Sequence, residues 1–159
     1  MQVADKTELE LFQQQHPEIA MLEVLMPDMN GIFRCKRIHR SEFDALFDGA
    51  LKSPATQPLV TTMGEYDHEV DPRLVAGEPD NKLLPVSGSL SPVPWLASPT
   101  GQVIASHFSM SGEPAWMDPR HVLARVLERF RSLGLKPVIA TELEFYLVEP
   151  NIDADYPLK

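Results

Sequence analysis

Fifteen prolines in 159 residues constrain this chain more than any other feature. Each fixes φ near −65° and removes a backbone donor, so helix interiors and central strands break wherever one falls. Eight of the prolines lie between residues 52 and 101, which makes that stretch a succession of turns and short extended pieces. Long helices are left only the remaining ground. An apolar content of 43% still permits a real core, and the length fits one domain, or one domain with an attached piece. With 23 acidic against 14 basic residues the formal charge is −9, which argues against phosphate-backbone binding and so against a nucleic-acid partner. No apolar run approaches the roughly 18 residues of a membrane span, and the N-terminus, MQVADKTELELFQQQHP, has no continuous apolar stretch of the secretory kind. Cys35 is the single cysteine, so no intrachain disulfide forms, and a reducing, cytoplasmic setting is the simplest reading.

Residues 6–15 read as a short helix starting at Thr7 and stopped by His16-Pro17. Two strand-like runs, the apolar Ile19 to Met26 and Ile32 to Ile38 with Phe33 and basic residues, flank PDMNG, whose Asn30-Gly31 tolerates positive φ and signals a β-hairpin. Ser41 to Leu51 reads as a helix capped by Ser41, with Phe43, Leu46 and Phe47 at helical spacing and a stop at Gly49. Short strands are expected at Leu59 to Met63, Lys82 to Val86 and Gln102 to Met110, with a turn at Gly77 to Asp80. Asp118-Pro119 opens a helix whose apolar face is Val122, Leu123, Val126, Leu127, Phe130 and Leu133, closed by Gly134. Pro137 then opens a strand from Val138 to Val148, and the closing EPNIDADYPLK is expected to be loosely held.

That last strand carries the most chemical information. Alternation puts Ile139, Thr141, Leu143, Phe145 and Leu147 on one face, suited to packing on the Asp118 helix. Glu142 and Glu144 project together from the other, roughly 7 Å apart at Cβ by strand rise. Like charges that close repel unless a cation or donor compensates, and such a pair suits a hard divalent cation such as Mg²⁺ or Mn²⁺. The competing reading is two ordinary surface glutamates on a solvent-facing strand. Arg34, Lys36, Arg37, His39 and Arg40 form a second constellation, read either as an anion-holding cluster or, in preference, as a solvated basic face or subunit contact. Cys35 sits among these cations, which favours its thiolate, but no catalytic partner stands near it in sequence. The histidines are dispersed, with no zincin spacing, and no Gly-rich phosphate loop occurs.

Taken together, VLMPDMNGIFRCKRI (24–38), FDALFDG (43–49), GEPDNKLLPVSGSLSPVPW (77–95), DPRHVLARV (118–126) and LGLKPVIATELEFYLVEP (133–150) resemble the N-terminal part of the glutamine synthetase family, and most of all its γ-glutamylputrescine synthetase branch. The resemblance runs from residue 19 to residue 150, and the DPR helix followed by ELEF is its most specific part. It implies an α+β fold: an N-terminal helix or arm over 1–16, a β-grasp domain over 17–112, and the first helix and strand of a catalytic domain over 113–159. It also implies that Glu142 and Glu144 each ligate one of two divalent metals, Mg²⁺ or Mn²⁺. The strand alternation singles out the same pair.

The activity so implied is an ATP-dependent ligation of the glutamate γ-carboxylate to ammonia or a primary amine such as putrescine. Assembly as a homo-oligomer through the N-terminal domain is implied too. Two departures stand out. Cys35 replaces a glycine usual in the family, and Thr61 occupies the place expected of an amine-site aspartate, with Glu65 or Asp67 as substitutes after a loop shift. The remaining metal, nucleotide and glutamate ligands of the family belong to later segments, so the chain alone is expected to be inactive, with neither metal nor nucleotide bound. The alternative is a free-standing, non-catalytic β-grasp module that binds a partner protein.

Overall fold

Residues 21–27 alternate buried and half-buried, and this period of two sets the first strand of the sheet. The computed structural model describes residues 1–66, 69–77 and 79–150. Strand β1 (Met21–Pro27) lies beside β2 (Phe33–His39) as the expected hairpin, with Met21 opposite His39 and Pro27 opposite Phe33. On its other side β1 runs parallel to β6 (Thr100–Phe108), in register from Met21↔Thr100 to Leu25↔Ile104. Strand β4 (Asp80–Pro85) lies antiparallel along the end of β6, and β3 (Lys52–Pro54) continues the sheet beyond it, giving the order β2-β1-β6-β4-β3. The two-residue β5 (Ser91–Pro92) pairs with the start of β6. The fold is therefore α+β, with a mixed sheet.

Helices α1 (Lys6–Gln15) and α2 (Phe43–Phe47) supply apolar side chains to the core with the sheet. Leu9 and Phe12 from α1 and Phe43, Leu46 and Phe47 from α2 join Leu22, Val24, Met26, Ile38, Leu83, Val103 and Ala105 in one cluster. Each of the larger side chains, Ala105 excepted, contributes about 1.5–3 kcal/mol by leaving water. Gly101 makes the closest approach possible, since a Cβ there would stand 2.9 Å from the Phe12 ring. Asp5 caps α1 by accepting from Glu8 N at 3.1 Å, so the helix begins at Lys6, one residue before the expected Thr7 start.

Several local expectations give way to tertiary demands. Ser41 does not cap a helix: Arg40–Glu42 form a 3₁₀ turn, and the His39 ring accepts from Ser41 N before α2 begins. Gly49 ends the segment at φ 69°, as expected. The strand expected at Leu59 to Met63 is a 3₁₀ turn (Gln57–Leu59) followed by a loop. Its carbonyls serve the hairpin tip instead of a ladder: Pro58 O accepts from Met29 N at 3.0 Å, Val60 O from Asn30 Nδ2 at 2.8 Å and Thr61 O from Arg34 at 2.5 Å. A four-residue helix, α3 (Pro72–Val75), stands before Gly77. Asp67, Glu78 of the expected GEPD turn, and 151–159 of the closing segment lie outside the described residues.

Helix α4 (Pro119–Ser132) forms where the sequence placed it, with Asp118 as N-cap, Pro119 in the first turn and Gly134 at φ 70° after it. Its apolar face is not covered. Val126 is 41% exposed, Phe130 38% and Leu133 73%. The strand expected from Val138 to Val148 does not form either: residues 135–150 carry no regular secondary structure, and Leu143 is 89% exposed. The two departures share one cause. A strand needs a neighbour to take its backbone N–H and C=O groups, and none of the described strands pairs with this segment.

Candidate functional site

Glu142 and Glu144 both sit exposed in the stretch after α4 that carries no regular secondary structure. The same-side placement expected of a strand is not formed there, and no third ligand is brought to the pair among the described residues. Among the described residues no group of three or more His, Cys, Asp or Glu side chains converges. The donor set is nevertheless of the right chemistry for a hard divalent cation. Mg²⁺ is commonly held by one or two carboxylates, with waters and substrate phosphates completing six oxygens. Glu142 and Glu144 thus have the chemistry of part of such a centre and are not a complete one.

The basic constellation on β2 is committed to structure. Arg37 meets Glu23 directly across the β1–β2 pair, with Nη2 2.6 Å from Oε1. Lys36 donates to the carbonyl of Lys52, tying β2 to the start of β3. Arg40 reaches back to α1, donating to Ile19 O at 2.8 Å, Pro17 O at 3.2 Å and Gln13 O at 3.2 Å, so a cation serves carbonyls at and beyond the negative end of that helix. The face is a set of braces, not an anion site. Cys35 also departs from expectation. Partial burial pushes its thiol up, Glu23 adds to this, and Arg37 only partly opposes them.

Arg34 pairs with a group that the sequence reading missed. The Asp28 side chain is fully buried and receives three donors: Asn30 N and Ile32 N on Oδ1, and Arg34 Nε on Oδ2, each at 2.9 Å. Burial pushes this carboxyl up, but the Ile32 N–H, the Arg34 guanidinium and the Asn30 N–H together hold it below its usual value of 3.8. The PDMNG string carried the signal, because an aspartate two residues before an asparagine in a turn marks an Asx-type turn. Thr61 belongs to the same assembly. Its carbonyl takes Arg34 and Gly64 N, and its N–H donates to Glu65 O at 2.7 Å, so it serves the loop and brings no acid to a substrate.

A second buried carboxylate joins α4 to the sheet. Asp118, 1% exposed, accepts from Arg120 N at 2.9 Å and His121 N at 3.2 Å as a helix cap. Its other oxygen accepts from His107 N at 2.8 Å. The capping role was legible in Asp118-Pro119, whereas the link to β6 depends on a tertiary contact across eleven residues of chain.

Comparison with known proteins follows the same division of the chain. Residues 116–158 match the family model described as glutamine synthetase, catalytic domain. Over 148 residues, 93% of its length, the chain is 35% identical to gamma-glutamylputrescine synthetase of Escherichia coli, and covers 31% of that protein. It is 32% identical over 129 residues to the glutamate–isopropylamine ligase of a Pseudomonas species, covering 79% of this chain and 28% of the relative. Among solved structures, a glutamine synthase homologue superposes with a TM-score of 0.61 at 19% identity, over 72% of this chain and 27% of that one. A GmaS–ADP complex gives 0.60 at 20% identity, over 80% and 26%. These two carry the fold alone.

In sequence and in fold the chain is similar to the N-terminal part of glutamine synthetase family proteins. Among them, the two relatives matched over most of the chain are a gamma-glutamylputrescine synthetase and a glutamate–isopropylamine ligase. The chain spans less than a third of the length of either.

Proposed function

We propose that this chain is the N-terminal portion of an ATP-dependent ligase that joins the γ-carboxylate of glutamate to ammonia or a primary amine such as putrescine. The observation that carries the reading is the 35% identity to a gamma-glutamylputrescine synthetase over 93% of the chain. In the reaction a γ-carboxylate oxygen attacks the terminal phosphorus of ATP, releasing ADP and leaving γ-glutamyl phosphate. The amine nitrogen then attacks the carbonyl carbon, phosphate departs and a proton is lost from nitrogen. Mg²⁺ or Mn²⁺, when bound, neutralises phosphate charge during both steps. Glu142 and Glu144 are the residues of this chain that would hold it, the other ligands lying in sequence that only a longer protein contains.

In this reading the sheet with α1 and α2 is a β-grasp-type domain over 17–112, preceded by the 1–16 arm, and residues 113–159 begin the catalytic domain. Assembly into a homo-oligomer through the N-terminal domain, and a cytoplasmic location, go with it. The chain alone does not turn over ATP or retain nucleotide, and it holds Mn²⁺ at most weakly, through Glu142 and Glu144. Support comes from the exposed α4 face and the unpaired 135–150 segment, which are the surfaces a missing catalytic sheet would cover. One observation favours a second reading, a free-standing module that binds a protein partner: the core cluster lies wholly within residues 4–105 and is complete without α4.

Two measurements separate the readings. The purified chain is assayed for phosphate release from ATP with glutamate, putrescine and Mg²⁺ or Mn²⁺, and the native gene product is weighed intact. No turnover and a native mass several-fold above 17.8 kDa are expected. Metal-dependent turnover by the chain would overturn its inactivity, and a stable native product of 17.8 kDa would favour the module.

A further inference from the structure

Strand β1 stops pairing with β6 at Leu25↔Ile104, so the edge of β6 beyond that point has no strand beside it. At His107 the start of α4 takes the strand's place. Asp118 Oδ2 accepts the His107 N–H at 2.8 Å, and the His107 carbonyl accepts from Ala115 N at 3.0 Å. His121 Nε2 lies 3.0 Å from the same carbonyl and, since a carbonyl can only accept, this nitrogen carries the proton. The His121 ring also stands edge-on to Phe108, centroids 4.7 Å apart. This junction is the main hold on the helix, because His121 is the one α4 residue that is buried.

The junction encloses two imidazoles. His107 is 1% exposed and neither of its ring nitrogens has a hydrogen-bond partner among the described residues. His121 is 4% exposed. The anion acting on both rings is Asp118, whose oxygens already receive three N–H groups. Arg125 on α4 and the chain's amino terminus present positive charge to His121, and on β4 the residue opposite His107 is the uncharged Leu83. An added proton therefore has no free acceptor at His107 and meets two cations at His121.

We infer that the His107–Asp118–His121 cluster is a proton-sensitive latch, which holds α4 on the end of β6 when both rings are neutral and releases it below neutral pH while the sheet stays folded. Burial, first among the causes, holds both rings below the ordinary value of 6.5, with Asp118 and, at His121, the bond to the His107 carbonyl opposing. The sign follows. A depressed histidine contributes fully above 6.5, and that contribution drains away as pH falls from 6.5 toward the folded-state value. Within that window the opening equilibrium grows about tenfold per pH unit for each proton taken up. Release stays local because no residue of α4 belongs to the sheet's core cluster.

The test is hydrogen exchange by mass spectrometry on the 159-residue chain between about pH 7.5 and 5, corrected for intrinsic rates. Exchange in 115–132 is expected to rise about tenfold or more per unit below 6.5, with β1 and β6 unchanged, and His107→Leu is expected to reduce that slope by one proton. A flat profile in 115–132, loss of the sheet together with the helix, or an undiminished slope in His107→Leu would each overturn the latch. NMR titration of the unmodified chain guards against a variant that does not fold: both imidazoles should titrate below 6.5, and a midpoint at or above 6.5 for His107 overturns the proposal.

Discussion

Replacing Asp28 by alanine deletes the acceptor of three hydrogen bonds at once, from Asn30 N, Ile32 N and Arg34 Nε. Two of the donors are backbone groups of a hairpin turn, where water can partly replace the loss. The third is a guanidinium only 26% exposed, which keeps its bond to Thr61 O and loses its counter-charge. Removing one partner of a buried ion pair costs about 3–5 kcal/mol. Discounted for the partial exposure of Arg34, the substitution should destabilise the sheet by about 3 kcal/mol. At about 4 °C per kcal/mol that is a fall in Tm of roughly 12 °C.

Urea denaturation followed by circular dichroism reads this directly, and pH adds an internal control. The folded-state value of Asp28 is depressed below 3.8, so its contribution is present above pH 3.8 and lost as pH falls below it toward the folded value. The wild-type advantage over Asp28→Ala should therefore shrink under acid. Asp28→Ala with Arg34→Leu should recover part of the loss, since the uncompensated cation goes too. A cost below about 1 kcal/mol at pH 7, or a gap that does not narrow in acid, would refute the account of Asp28 as the keystone of the hairpin.

Three further outcomes follow from the same packing. Gly101→Ala sets a Cβ 2.9 Å from Phe12 Cζ and 3.1 Å from Leu22 Cδ1, so a loss of about 1–3 kcal/mol is expected in chemical denaturation. Leu83→Ala, at a fully buried position in the cluster, should cost about 2–5 kcal/mol with the m-value unchanged. Glu142→Gln with Glu144→Gln should leave the melting of the chain alone within about 0.5 kcal/mol, both being exposed, yet abolish any weak Mn²⁺ binding seen by calorimetry. Retained Mn²⁺ binding in that double variant would remove these glutamates as metal ligands.

Where local chemistry dictates structure, the sequence was readable. Asn30-Gly31 between two strand-like runs marked the β1–β2 hairpin, and Asp118-Pro119 with Gly134 bracketed α4 to within a residue or two. Where a distant segment decides, it was not. Leu59 to Met63 has strand-like residues, but their carbonyls are used by the hairpin tip some thirty positions earlier. Ser91-Pro92 is too short for any periodicity to show, and it pairs only because the long β6 passes beside it. The segment after Pro137 has the alternation of a strand, and none of the described strands pairs with it. Glu142 and Glu144 were accordingly legible as a same-side pair and not as a finished centre. The basic residues of β2 were legible as a cluster, while their roles as braces depended on Glu23 and on the carbonyls of Lys52 and Ile19.

The parallel pairing of β1 with β6 has a kinetic consequence. Strand β1 gains its first neighbour within a few residues through the Asn30-Gly31 turn, but its second starts at Thr100, far along the chain. Closing a loop of that size is entropically slow and is repaid only when the Val103 and Ala105 side chains reach the cluster. During synthesis, therefore, the β1–β2 hairpin waits with one apolar face open until β6 has left the ribosome. Over that interval the charges of β2, Arg34, Lys36 and Arg37, discourage another chain from adding to the hairpin's outer edge.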